Sequence, residues 1–256
     1  MPGFSANLGF LWNELPLPDA VRAAKSAGFE AVELHWPYDT PVDDMAAALR
    51  ESDLPLLGLN TLRGAPGENG LAALPGREGE ACAAIDQALE YGAALGAENV
   101  HVMAGFTEGD SAHRTFVANL RYACAEAAKR DMSILIEPLN SVDAPGYFLG
   151  STGQASDLIS EVGAPNIALM FDFYHVQIIE GDVTRRFAEH LPIIGHVQIA
   201  AVPDRGEPDA GELNYAFVYE TLARLGYDEP IGAEYKPRGA GVEAGLGWLA
   251  AAKAMT

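Results

Sequence analysis

Eight short apolar runs recur along the chain, at residues 7–12, 31–36, 55–61, 99–104, 132–139, 167–171, 194–200 and 231–235. Most are apolar throughout, as at Ile134, Leu135 and Ile136. A strand with one wet face alternates polar and apolar residues; a parallel strand covered on both faces does not. Between these runs lie stretches with helical spacing, at residues 18–27, 42–51, 77–95, 113–129, 152–162, 183–190, 214–225 and 242–254. Several stop at a glycine (Gly28, Gly96, Gly163, Gly226), the residue that most readily takes the left-handed turn closing a helix. Ser151 or Thr152 supplies a start signal for the fifth.

A strand–helix unit thus repeats eight times, at roughly thirty residues each. This predicts an α/β protein, a single (β/α)8 TIM barrel over residues 1–256. The competing architecture is a doubly wound open sheet. It would place a glycine-rich phosphate turn after the first strand, and FLWNELPLP has none.

In a barrel of this kind the chemistry lies at the C-terminal strand ends. The polar residues there are Glu33 on the second strand, His101 on the fourth and Glu137 on the fifth. The sixth carries Asp172 and His175, the seventh His196 and Gln198, the eighth Glu234 and Lys236. Glu137, Asp172 and Glu234 fall at matching heights, with Gln198 in the same layer. Carboxylates converging on one mouth cannot all stay ionised without a cation. Oxygen ligands of this type suit a divalent metal, Mg²⁺ or Mn²⁺, and the lack of a Cys or multi-His cluster argues against zinc.

Plainer roles compete at each position. A strand-end carboxylate often caps a helix or pairs with arginine. His101 and His175 could be structural histidines, and His196 reads as structural. Glu33 could pair with a cation inside the barrel. Lys236 reads as a substrate-binding or supporting group. Phe10, Trp12 and Trp36 fit core and pocket wall equally. The long polar segment after the seventh strand contains Arg205, whose planar fork could clamp a carboxylate.

Composition narrows the partners. The chain has 256 residues and a formal net charge of −20. Such a surface repels nucleic acid and anionic membranes but leaves room for a small anion in a locally positive pocket. No apolar stretch approaches the ~20 residues of a membrane span, and no leader-like segment is evident, so a cytoplasmic protein is the default expectation. The two cysteines, Cys82 and Cys124, lack metal-ligand spacing and read as reduced thiols. A homo-oligomer is compatible with the sequence, which does not fix the assembly.

The motifs GLAALPGREGE (70–80), HVMAG (101–105), IEPLN (136–140), PGYFL (145–149), FDFYH (171–175), GHVQIA (195–200), VPDRGEP (202–208), EYKPRG (234–239) and GLGW (245–248) span nearly the whole chain. Together they resemble the hydroxypyruvate isomerase family, which includes 2-oxo-tetronate isomerases and lies in the xylose isomerase-like barrel superfamily. The resemblance implies a metal-dependent aldose–ketose type isomerase acting on a small hydroxy-oxo acid. Glu137 and Glu234 would be its acid/base pair, and Glu137, Asp172, Gln198 and Glu234 its metal ligands. His175 and Arg205 would contact substrate. The chain departs from the family pattern at His35–Trp36, Ala233 and Val242, which bears on substrate identity more than on chemistry. An epimerase or dehydratase using the same enolate chemistry, an abasic-site endonuclease of the superfamily and a catalytically inactive sugar-acid-binding barrel are the alternatives.

Overall fold

Every strand hydrogen-bonds in parallel to the next, and the last pairs with the first, in a computed structural model that describes residues 3–254. The strands are β1 (Phe4–Asn7), β2 (Ala31–Glu33), β3 (Leu56–Asn60), β4 (Asn99–His101), β5 (Ser133–Ile136), β6 (Ile167–Asp172), β7 (Ile194–Ile199) and β8 (Ile231–Ala233). Closure runs through Phe4 opposite Ile231 and Ser5 opposite Gly232. The barrel is the one the repeat predicted, and closing the sheet removes every exposed edge.

The helices clothe it in order: α1 (Leu17–Ala27), α2 (Val42–Ser52), α3 (Glu78–Leu95), α4 (Gly109–Ala128), α5 (Thr152–Val162), α6 (Phe173–Ile179), α7 (Val183–His190), α8 (Tyr215–Leu225), α9 (Val242–Gly245) and α10 (Gly247–Ala254). Gly28, Gly96, Gly163 and Gly226 take the left-handed closing conformation. The Ser151 side chain caps α5 by accepting from the Gln154 N–H at 3.1 Å.

Two elements differ from the sequence expectation. The first strand is Phe4–Asn7, not 7–12. Residues 8–12 form a turn in which the Leu11 N–H bonds Asn7 O at 2.9 Å and Trp12 has φ 52°. Leu8, Leu11 and Trp12 are nonetheless buried, so this apolar run marks a packed loop. The real strand, FSAN, is short and half polar. Helix α6 was not expected. Its residues, FYHVQII, are largely buried and lack a polar stripe, and Asp172 starts it by accepting from the Tyr174 N–H at 2.8 Å.

Strands β2, β4, β5 and β8 also end sooner than their apolar runs. Glu137 and Glu234 therefore sit one residue beyond their strands, at the start of the loops. The connection from β3 to α3 is long and is pinned back on the β4 loop. Gly70 bridges Ala104, and the Ala73 N–H bonds Ala104 O at 2.7 Å. Gly70 has φ +112°, and a Cβ there would lie 2.3 Å from Met103 O. Gly70→Ala therefore combines backbone strain, typically ~1–3 kcal/mol, with a backbone clash. Thermal unfolding should fall by several degrees, and limited proteolysis should cut within residues 61–77 faster than in the wild type.

Candidate active site

The strand ends open on a cavity of about 310 Å³. Glu137, His101, His175, Arg205 and Glu234 line it, with Phe10, Trp36 and Leu139 as apolar wall. Glu137, Asp172, His175 and Glu234 are all buried and each presents one ligand-capable atom within 4.8 Å of the others, so this group could hold a metal ion.

Arg205 supplies positive charge to this cluster. Its guanidinium pairs with Glu234, lies 3.7 Å from an Asp172 carboxylate oxygen, and is flanked by the rings of Phe10 and Tyr174 at 4.8 and 4.9 Å. The residue is held at φ 55°, an uncommon conformation for a side-chain-bearing residue. The backbone fixes it there: the Arg205 N–H bonds Ala201 O at 2.9 Å, and the Lys236 N–H bonds Arg205 O at 2.7 Å.

The two glutamates experience opposed surroundings. Burial, then the charges of Glu234 and Asp172, raise the Glu137 carboxyl well above its ordinary range. Burial also opposes ionisation of Glu234, but Arg205 and His35 outweigh it and bring the group down to about 2. Burial raises Asp172 to about 7 against the pull of Arg205.

Burial lowers His175 to about 3 and His101 to about 4, so both are neutral at physiological pH. The tautomer of His175 follows from its neighbour. Its Nδ1 accepts the Asn140 backbone N–H at 3.0 Å, which leaves the proton on Nε2. That Nε2–H lies 3.7 Å from Asp172 Oδ2 and 4.0 Å from Glu137 Oε1. In this tautomer Nε2 is a donor facing the carboxylates.

Gln198 sits deeper. It borders a smaller chamber inside the barrel with Glu33, His196 and Met170. Its Nε2 donates to Glu33 Oε2 at 2.7 Å, leaving its Oε1 buried and without a partner. Glu137 Oε1 and Asp172 Oδ2 are likewise buried acceptors without a hydrogen bond. Three orphaned oxygens among like-charged carboxylates are a donor set that fits a hard divalent cation.

Lys236 is not brought to the site: its side chain is exposed and lies outside the cavity lining. Its place on the strand-end motif suggested a substrate contact, but only its backbone reaches inward. Conversely, His35 was passed over as a site residue and is central. Its Nε2 lies 2.9 Å from Glu234 Oε1, and Gly9 leaves it room, since a Cβ there would be 2.0 Å from the ring. Asn7 also holds that oxygen, donating at 3.0 Å. The signal for His35 was its position two residues beyond a strand-end acid.

A parallel barrel with buried acids, neutral histidines and an arginine around one small cavity is the plan of a barrel enzyme acting on small polar molecules. Residues 21–252 match the xylose isomerase-like TIM barrel family model, and the chain belongs to that family. It is 45% identical over 255 residues to the 2-oxo-tetronate isomerase of Cupriavidus necator, covering 97% of this chain and 98% of that one. It is 38% identical to the hydroxypyruvate isomerase of Escherichia coli, covering 96% and 97%. A crystal structure titled AP endonuclease, family 2, from Brucella melitensis superposes with a TM-score of 0.94 at 43% identity, covering 98% and 99%. These relationships make the chain an enzyme, an isomerase of the hydroxypyruvate isomerase-like type.

Beneath the cavity, Glu33 and His196 form a buried ion pair, with Nε2 3.1 Å from Oε1 but without the alignment of a hydrogen bond. Gly232 makes the space, since a Cβ there would lie 2.3 Å from Glu33 Oε1. Burial opposes both charges. His196, with hydrogen bonds from Ser5 and Gln198, nevertheless brings Glu33 below its usual range, and Glu33 raises His196 above the ordinary 6.5. A raised histidine contributes stability that is fully present below its unfolded value near 6.5 and fades as pH climbs through the folded one. In Glu33→Gln the main opposition to burial is lost, leaving only the charges of Glu234 and Glu98, and His196 should titrate lower than in the wild type by proton NMR of the ring. Losing one partner of a buried pair costs about 3–5 kcal/mol, less where the survivor can shed its charge. The variant's loss of thermal stability should therefore be larger at pH 5.5 than at pH 8.

Proposed function

We propose that the protein interconverts a small hydroxy-oxo acid by moving its carbonyl one carbon along the chain. The substrate class is that of hydroxypyruvate and 2-hydroxy-3-oxopropanoate, or of the 2-oxo-tetronates. The observation that carries this reading is the pair Glu137 and Glu234, buried on one cavity in environments that push their proton affinities apart. Such division separates an acid from a base.

Isomerisation of this kind needs removal of a proton from the carbon beside a carbonyl, charge stabilisation on the enediolate, and return of a proton to the neighbouring carbon. Glu234, kept ionised by Arg205 and His35, is the better first acceptor. Glu137, held protonated by burial and its acidic neighbours, is the better donor. The reverse reaction exchanges these roles. Positioned proton transfer of this type contributes typically about 10²–10⁴-fold. The His175 Nε2–H and the Arg205 guanidinium are placed to hydrogen-bond substrate oxygens, and His101 borders the same space. Phe10, Trp36 and Leu139 supply apolar surface to its wall.

The oxygens of Glu137, Asp172, Gln198 and Glu234 would hold a divalent cation, Mg²⁺ or Mn²⁺. When bound, the cation supplies a Lewis acid for the negative charge developing on the substrate oxygens. A net charge of −20 disfavours the DNA backbone as a partner, and the endonuclease title of the Brucella melitensis structure is not carried over to this chain. No helix among the described residues is long and apolar enough to cross a membrane.

Glu137→Gln and Glu234→Gln should each lower turnover of hydroxypyruvate or a 2-oxo-tetronate by about 10²–10⁴-fold, with the circular dichroism spectrum of the folded barrel preserved. Near-wild-type turnover in either variant would defeat the acid/base pairing. Product NMR in D₂O should show the carbonyl relocated and deuterium on the neighbouring carbon; a retained carbonyl position would mean epimerisation instead. Titration calorimetry with Mn²⁺ should show binding to the wild type. Asp172→Ala should weaken it by more than the about 10–100-fold lost when only a supporting outer group is removed.

A further inference from the structure

The cavity is acidic, and a hydroxy-oxo acid is an anion. Something at its wall must hold the substrate carboxylate. The charge of Arg205 is already matched, to Glu234 and Asp172 and, at 3.7 Å, to Asp143, so what it can offer a substrate is a hydrogen bond and not a surplus positive charge. His101 and His175 face the acids, at 3.8 Å from Glu137 and 3.7 Å from Asp172, and His35 is engaged with Glu234. Arg63, on the loop after β3, lines the same cavity and makes no ion pair with a carboxylate among the described residues.

Its guanidinium is fixed from two sides. The Nε donates to Asn69 Oδ1 at 3.2 Å, and the group stacks over the Trp36 ring with its central carbon 4.5 Å from the ring centroid. Trp36 is held in turn, its indole N–H donating to Thr61 O at 3.0 Å, and the Gly70 N–H bonds Arg63 O at 2.8 Å. The stacking and the Nε bond consume one edge and one face of the fork. The two terminal nitrogens have no partner among the described residues, the arrangement that a bidentate carboxylate contact requires. Immobilising a flexible arginine in advance lowers the entropy lost on binding.

We propose that Arg63, oriented by Trp36 and Asn69, is the carboxylate-binding subsite for the substrate. This rests on the isomerase reading and adds to it the end of the substrate that is recognised: the carboxylate lies toward the β3 loop, and the carbons that exchange protons lie toward Glu137 and Glu234. The enzyme therefore distinguishes hydroxy-oxo acids from neutral hydroxy-aldehydes of the same length through one residue outside the carboxylate cluster.

Kinetics of Arg63→Ala and Arg63→Lys against wild type test this, using hydroxypyruvate and glyceraldehyde as the acid and neutral substrates with Mn²⁺ supplied. Arg63 is exposed, so truncation leaves the core intact. A charged hydrogen-bond pair of this type corresponds to about 10–100-fold. In Arg63→Ala, KM for the acid should rise by about that factor with a smaller change in kcat, and preference for acid over aldehyde should fall in parallel. Arg63→Lys, which keeps the charge but not the fork, should lie between. An unchanged KM and preference in Arg63→Ala, with the wild type active, overturns the subsite and leaves the isomerase reading standing. A wild type inactive on every hydroxy-oxo acid defeats that reading instead, and titration with glycerate, a stable hydroxy acid, then decides the subsite. Binding to wild type that is lost in Arg63→Ala supports it, whereas equal binding, or none to either, overturns it.

Discussion

Three carboxylates, Glu137, Asp172 and Glu234, are buried within a few ångströms of one another, and most of the site is an answer to their repulsion. Two answers occur together in the structure. One is neutralisation by proton: Glu137 and Asp172 bind theirs more tightly than free carboxyls do. The other is a matching cation: the Arg205 guanidinium keeps Glu234 ionised. Both leave oxygen lone pairs unspent, which is why the cluster suits a divalent ion and why its acidity differs from one member to the next.

The barrel carries this charge because a second, deeper polar layer supports it. Asn7 donates to Glu234 at 3.0 Å and lies 3.5 Å from Glu33, so the mouth and the interior pair share a residue. Gln198 spans the same boundary through its Nε2 bond to Glu33. A wholly aliphatic interior would have left these amides without partners, at a cost of about 1–3 kcal/mol each. The glycines at positions 9 and 232 are the space this layer needs: each stands where a side chain would collide with His35 or Glu33.

Much of this was legible in the sequence. The parallel strands are apolar because helices cover them, so period and strand type coincided. Glu137, Asp172 and Glu234 stood out because a carboxylate closing an apolar run is conspicuous. Where reading failed, a different physical effect had produced the same signal. Residues 8–12 are apolar because they pack as a loop, and α6 is apolar because it is buried nearly all round. Lys236 shares a motif with Glu234 but points to solvent. His35 carries only a faint signal, its place two residues beyond Glu33, and Arg63 carries none; their meaning lies in what they touch across the mouth, at Glu234 and at Trp36, and long-range contact is invisible to a local reading. Gln198 was placed correctly on its strand, while its bond to Glu33 needed the barrel to be closed.

The joining of β8 to β1 also sets when the site comes into being. Glu234, just beyond the last strand, is held by Asn7 at the end of the first. The Trp12 indole N–H reaches Glu243 at 2.7 Å across the same seam. Until β8 joins the sheet, Glu137 and Asp172 have no third acid beside them. The crowding that the chemistry depends on is imposed only when the last strand closes on the first, so a folding intermediate with an unclosed sheet would be free of it.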